Sequence, residues 1–344
     1  MALVAGSYEK TIWGFQLKPS KTQTLTLKPL FSFPSHLSAI KSVAVSGPVA
    51  VSGGSDDTIK IYDLSTSSEI GTLTHHSGAV TSLSFYTHTS LPSFPRNLFS
   101  ASDDGTVAIY DADPLVHLKS VRVHKKGIND LGVHPSGRLA LTVGRDSCLA
   151  MVNLVRGRRS FCCRLDKEAE IVRFSVDGER FFMVKEDKVS VHESEDARLV
   201  FEMESQKRVL CAANASNALL ITGGEDRSIT AWDTTSGKVA YRLEDAHSSR
   251  VKGIVVLSNG SDDSNDVTSL VASASSDGVI RVWDMRMAKK ERPNALVEAN
   301  TKARLTCLAG SSLKYMGSIG QKILSLKRLR VGDDKPNAKQ DDES

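Results

Sequence analysis

The sequence predicts an all-β chain built from repeated four-stranded units, a seven-bladed β-propeller. Three observations carry that prediction. Segments of alternating apolar residues recur roughly every 40 to 50 residues, the repeat length of a four-stranded propeller blade. Within each segment the alternation has the two-residue period of a strand with one buried face, as in Ile59 and Ile61. Asp104-Gly105 and Asp277-Gly278 stand between paired segments, where a two-residue hairpin needs positive φ.

Composition sets the bounds. A chain of 344 residues exceeds the usual single-domain length, but closed repeats run longer as one unit. Hydrophobic residues make up 40%, enough for a sizeable core, and the net charge of +4 does not by itself demand a nucleic acid or a membrane. No apolar run approaches the ~18 residues of a membrane span, and the opening MALVAGSYEK is charged too early for a secretory signal. The expectation is a chain on the cytosolic or nuclear side, without a membrane partner. Cys148, Cys162, Cys163, Cys211 and Cys307 are odd in number and lack C-x-x-C spacing, so they are expected to be buried, reduced and small-apolar in role.

Along the chain, LVAGSY and TIWGFQL read as the second and third strands of a first unit whose innermost strand is missing. Lys18 to Pro34 reads as an insertion at its exit. The second unit has His36, Ser52, Asp56 and TIKIYD ending at Tyr62, Asp63; the third has His76, Ser100, Asp104 and TVAIYD with Tyr110, interrupted by an insertion from Tyr86 to Asn97. In the fourth, His124, Thr142 and Asp146 precede CLAMVN, where Val152 stands in the aromatic position. The fifth keeps only a strand from Ile171 to Phe174, a turn at Asp177-Gly178, and strands from Arg180 to Val184 and at KVSVHE. The sixth has Thr222, Asp226 and Trp232 without a His; the seventh has His247, an insertion from Asn259 to Asp266, Ser273, Asp277 and Trp283.

RLTCLA, Arg304 to Ala309, is predicted to supply the missing strand of the first unit and so remove the sheet edges that promote aggregation. Eight blades is the alternative, with Tyr315 to Lys327 as further strands, but that stretch lacks the Asp turn and the aromatic. Residues 1–310 are therefore expected to form the propeller. Residues 311–344 form a C-terminal extension, basic and then polar, expected to be disordered from about Val331.

These hydroxyl, Asp, aromatic and His positions resemble the WD-repeat β-propeller family over nearly the whole chain. The resemblance implies that the four side chains form a hydrogen-bonded set within each blade: His36, Ser52, Asp56, Tyr62; His76, Ser100, Asp104, Tyr110; His247, Ser273, Asp277, Trp283; and, incompletely, His124, Thr142, Asp146 and Thr222, Asp226, Trp232. Tyrosine sets are expected to be looser than tryptophan sets. A Ser-His-Asp hydrolase would carry its triad once, in one geometry, whereas this set recurs at blade positions. There is no phosphate-binding loop and no metal-ligand spacing, so neither a catalytic residue nor a cofactor is predicted.

Binding is left to the surface. The candidate contacts for RNA or a partner are Lys125 and Lys126, the hairpin residues Arg156, Arg158 and Arg159, the run from Lys289 to Arg292, and Lys327, Arg328 and Arg330. Clustered guanidinium groups suit phosphate, although short charge runs are also common in solvated turns. Val271 to Arg286 also resembles the motif of WD-repeat substrate receptors of cullin-type ubiquitin ligases, and Arg286 alone goes beyond the blade pattern.

Several non-repeat stretches resemble the PAK-interacting-protein-like, or Mak-type, WD-repeat proteins: LVAGSYEKTIWGF, HHSGAVTSLSFY from His75, HPSGRLALTVGRD from His134, LVRGRRSF from Leu154, and NTKARLTCL from Asn300. That resemblance implies a non-enzymatic nucleolar scaffold in assembly of the large ribosomal subunit and pre-rRNA processing. Its implied partners are pre-ribosomal factors and ribosomal RNA, with the propeller a monomer inside a larger complex. For some members it also implies binding and restraint of PAK-type protein kinases. Where such proteins often carry a long Lys-rich tail, this sequence has Lys327 to Arg330 and a mixed-charge end.

Overall fold

The computed structural model describes residues 1–19, 25–87, 95–216, 218–257, 270–285 and 294–311. Within them the chain forms seven antiparallel sheets of four strands each, the predicted seven-bladed β-propeller. The innermost strands are β4 (Ile40–Ser46), β8 (Val80–Tyr86), β12 (Ile128–Val133), β16 (Ile171–Phe174), β20 (Val209–Ser216), β24 (Val251–Leu257) and β28 (Leu305–Ser311), each packed against the next around a ring. The ring closes through β28, which contacts both β24 and β4.

Burial follows position in the blade. In blade 2, every residue of β5 (Val49–Gly54) is buried, while β7 (Ser68–Leu73) at the outer edge is mostly not. A second strand lies between two neighbouring blades and must be apolar or small on both faces; an outer strand has water on one side. The core is accordingly seven clusters, one per seam between adjacent blades. The cluster joining blades 7 and 1, for example, holds Leu3, Ala5, Ala272, Ile280, Leu305 and Leu308.

Closure occurs as the sequence predicts. β28 pairs antiparallel with β1 (Ala2–Ser7), from Ala2↔Ser311 to Ser7↔Leu305, in the order β28-β1-β2-β3 with β2 at Ile12–Pro19 and β3 at Leu25–Phe33. Tyr8 N donates to Arg304 O at 2.8 Å, and Thr306 Oγ1 donates to Ile40 O at 2.7 Å, tying the closing strand to blade 2 as well. The eight-blade alternative is not realised. The Tyr315 to Lys327 stretch and the extension expected to be disordered lie outside the described residues.

Two expectations need correction. Lys18 to Pro34 is not a simple insertion: it contains β3, the outer strand of blade 1, paired with β2 along its length. Its alternation of exposed and partly buried residues is that of an edge strand without repeat signature. The cysteines are not uniformly buried either, since Cys162 is exposed and the other four are intermediate. Burial pushes the thiols of Cys211 and Cys307 up to about 12 and about 11, so neither is a thiolate at neutral pH.

One backbone device repeats in every blade. The hairpin joining second and third strands carries one residue with left-handed φ, so the expected two-residue turns with positive φ at both Asp104 and Gly105, or Asp277 and Gly278, do not form. The residue is Lys10, Asp57, Gly105, Ser147, Glu186, Arg227 and Gly278 in blades 1 to 7. Only two of the seven are glycine, the residue that adopts this φ without steric cost. At Gly278, φ is +85° and a Cβ would stand 2.9 Å from Ala303 O. Gly278→Ala is therefore expected to lower stability by about 1–2 kcal/mol. Ser147→Gly is expected to leave it unchanged or raise it by about 0.5–1 kcal/mol, because relief of the left-handed strain exceeds the added unfolded-state entropy. Urea titration of the purified variants checks both; a destabilising Ser147→Gly contradicts the strain assignment.

Candidate functional site

The residues with the chemistry of an active site are bound into the blades. His36 Nε2 lies 2.7 Å from Ser52 Oγ and its Nδ1 lies 2.9 Å from Asp56 Oδ1, while Tyr62 OH lies 2.9 Å from Ser52. In blade 7, Trp283 Nε1 donates to Ser273 Oγ at 2.9 Å, His247 Nε2 meets the same hydroxyl at 2.8 Å, and His247 Nδ1 faces Asp277 at 3.2 Å. Blade 3 joins His76 to Ser100 at 2.6 Å and to Asp104 at 3.3 Å; blade 4 joins His124 to Thr142 at 2.9 Å and to Asp146 at 2.8 Å. Every one of these hydroxyls is buried, so none is open to a substrate.

The aromatic partner varies as its chemistry requires. Tyr62 closes its set, whereas the buried Tyr110 hydroxyl makes no hydrogen bond among the described residues, though Ser100 is close enough to ease its ionisation. The tyrosine sets are thus unequal rather than uniformly loose. Burial pushes both phenols up to about 12. In blade 4, Val152 offers no donor, and the Thr142 hydroxyl donates toward Ala150 O at 3.4 Å. In blade 6 the missing His is replaced from the outer strand, β23 (Lys238–Leu243). Arg242 Nη2 bonds Asp226 at 2.7 Å and Gln206 Oε1 at 2.9 Å, while Trp232 Nε1 donates to Thr222 at 2.8 Å. Arg242 was not legible as a set member; its only signal is its register opposite Thr230 beside the turn.

The turn carboxylates also grip backbone. Asp56, Asp104, Asp146 and Asp277 accept the N–H groups of Leu37, Ser77, Lys125 and Ser248 at 2.7–3.0 Å, each the residue after the set His. Glu9, at the Asp position of blade 1, accepts Arg304 N–H at 2.9 Å in the same way. Burial opposes ionisation of the four aspartates. Hydrogen bonds from the histidines (from Thr106 at Asp104) and from these backbone N–H groups outweigh it and hold all four below the usual carboxylate value. Burial lowers His76, against the pull of Asp104.

Antiparallel order divides the loops between two rims. The set histidines and turn aspartates share one rim; the hairpins from first to second strand and from third to fourth lie on the other. Lys125 and Lys126 are exposed on the histidine rim, and Arg156, Arg158 and Arg159 are exposed at the opposite one, so the two clusters do not form one patch. Arg159 is partly committed, donating from Nη1 to Val123 O of blade 3 at 2.7 Å. Arg286, the run Lys289 to Arg292, Lys327, Arg328, Arg330 and the insertion from Asn259 to Asp266 lie outside the described residues, as does most of the insertion after Tyr86.

Inner strands of all seven blades line a central channel, with a cavity of about 240 Å³. Asp130 is saturated by Arg173, by Ser82 Oγ at 2.8 Å and by Val172 N at 3.0 Å, and Glu170 pairs with Arg208 at 2.8 Å. Lys252 has no ion pair among the described residues; burial first, and Arg250 second, lower its pKa. Among the described residues no three His, Cys, Asp or Glu side chains are grouped to hold a metal. What this arrangement can do is bind: a stiff ring presents two unlike loop surfaces and a polar channel.

Ser273→Ala should strand both His247 Nε2 and Trp283 Nε1, costing about 2–4 kcal/mol, whereas Trp283→Phe should cost less because Ser273 keeps His247. Equal losses in denaturant titrations would contradict the shared-hydroxyl geometry. Two steps are expected with pH. His76 has a folded pKa below 6.5, so its contribution is intact above 6.5 and declines as the unfolded chain takes up a proton below it. The four aspartates, depressed from 3.8, keep theirs above that value and lose it as pH falls through their folded values. Thermal midpoints flat from pH 7 to pH 3 would contradict both signs.

Comparison with known proteins agrees with the geometry. The WD domain, G-beta repeat family matches residues 27–63, 67–111, 115–152 and 238–284, each match running from the outer strand of one blade through the third strand of the next. The chain is 35% identical over 306 residues to p21-activated protein kinase-interacting protein 1-like of Danio rerio, covering 89% of this chain and 79% of that one. It is 27% identical over 312 residues to Shk1 kinase-binding protein 15 of Schizosaccharomyces pombe, covering 90% and 83%. It is 30% identical over 227 residues to Protein MAK11 of Saccharomyces cerevisiae, covering 60% and 55%. With its seven closed blades, its hydroxyl-centred sets and this extent of identity, the chain belongs to the WD-repeat family of PAK-interacting protein 1-like and Mak-type proteins.

Proposed function

We propose that this chain is a non-enzymatic scaffold in assembly of the large ribosomal subunit, acting in pre-rRNA processing in the nucleolus of the nucleus. Its partners on this reading are pre-ribosomal assembly factors, with ribosomal RNA contacted through exposed arginines and lysines. The observation that carries the reading is the identity with Protein MAK11 and the kinase-interacting relatives across the propeller. The set hydroxyls and histidines are buried, and the partly buried aspartates are engaged by those histidines, by Arg242 and by backbone N–H groups, which leaves loop surfaces as the place for function. Lys125 and Lys126 on one rim and Arg156 and Arg158 on the other supply cations without ion pairs among the described residues, suited to phosphate.

A second reading is restraint of a PAK-type kinase, favoured by the similarity to p21-activated protein kinase-interacting protein 1-like and Shk1 kinase-binding protein 15. The two readings separate experimentally. Rapid depletion of the tagged chain is expected to accumulate large-subunit precursor RNA and reduce free large subunits; unchanged precursors reject the first reading. Saturable binding of the purified chain to a kinase regulatory domain is the expectation of the second, and no binding rejects it.

A further inference from the structure

The seam between blades 3 and 4 stays open toward the rim opposite the set histidines. A groove of about 620 Å³ runs there, within the size range of ligand sites. Its floor is Phe99, Ile109 and Leu154, the outer end of the core cluster shared by the two blades. Its lip carries Leu118 and Val155, which are 55% and 75% exposed. Apolar side chains gathered at a concave opening are the usual mark of an interaction site. Tyr86 closes one end, donating its hydroxyl to Ser136 O at 3.1 Å. Gly137, at φ +66°, makes room for that ring: a Cβ there would fall 2.3 Å from Tyr86 Cζ.

Among the described residues the charge lining this opening has one sign, with Asp111 and Asp113 on the neighbouring hairpin of blade 3 outside the lining. Arg96 and Arg138 line it and are exposed, no carboxylate lines it, and Arg156 and Arg158 stand on the adjoining hairpin. None of these four arginines has an ion pair among the described residues. We propose that this groove docks an extended peptide segment of a partner protein, with one or two large apolar side chains seated between Asp or Glu residues. The apolar floor takes the anchors and the arginines take the carboxylates, in bidentate geometry where the peptide allows. A nucleic acid that seated a base in the groove itself, beyond phosphate contacts at the rim, would need an open ring face on which to stack it. Phe99 is 2% exposed and the Tyr86 ring is packed on Gly137, so neither offers one. The inference does not depend on a role in ribosome assembly.

The test uses the full chain and a random dodecamer display library, panned in parallel on wild type and on Val155→Asp. Both Val155→Asp and Arg138→Glu alter exposed positions, and an unchanged thermal midpoint verifies that each folds. Expected is a wild-type pool enriched in Asp and Glu around Leu, Phe or Trp and lost on Val155→Asp. The labelled consensus peptide should bind Arg138→Glu about tenfold more weakly, and a Lys-flanked version of it should recover part of that loss. An empty pool, a pool without acidic enrichment, or equal recovery on both proteins overturns the proposal. So does a wild-type dimer in light scattering that Val155→Asp converts to monomer, which assigns the groove to a second copy. A labelled single-stranded RNA dodecamer that displaces the peptide, and is itself weakened by Arg138→Glu, overturns it in favour of nucleic acid.

Discussion

The structure depends on one contact repeated around the ring: a carboxylate at the hairpin between second and third strands accepting the backbone N–H of the loop that enters the same blade. Asp56, Asp104, Asp146 and Asp277 do this beside a histidine, and Glu9 does it without one. The contact fixes where each chain crossing from the previous blade descends into the next. The residue after each of these carboxylates has left-handed backbone, and five of the seven blades hold that conformation without glycine. Glu186 in blade 5 and Arg227 in blade 6 hold the same left-handed φ without that contact among the described residues, so the conformation belongs to the hairpin and the contact is added to it.

Most of the fold was legible because it is written in short local motifs. Hydroxyl, Asp and aromatic at fixed spacing marked blades 2, 3, 6 and 7, and RLTCLA stood out as a strand without a partner until the N-terminal unit was seen to lack one. The outer strand hidden between Lys18 and Pro34 escaped because an edge strand carries little burial pattern. Arg242 escaped for another reason: it substitutes for a histidine from a different strand, and only pairing register brings it to Asp226.

Surface function was less legible, for a geometric reason. Lys125 and Arg156 are close in sequence yet lie at opposite rims, since three antiparallel strands, an odd number, separate them. The groove between blades 3 and 4 draws on residues from Tyr86 to Val155, in stretches far apart in sequence that meet only at the seam between the two blades. Such sites are products of ring assembly, and a rigid ring holds them at fixed separation. The ring thus holds two unlike loop surfaces in fixed relation to each other.

The sharing of blade 1 between the two ends of the chain has a consequence for synthesis. β1 to β3 are the first strands made, and their inner edge has no partner until β28, the last of the described strands, is translated. Until then the inner edge of β1, ALVAGS, is a row of unpaired backbone N–H and C=O groups, and folding of the intervening blades cannot relieve it. Closure of the ring waits for β28, so the seams among blades 2 to 7 can form before the one that joins blade 1 to blade 7.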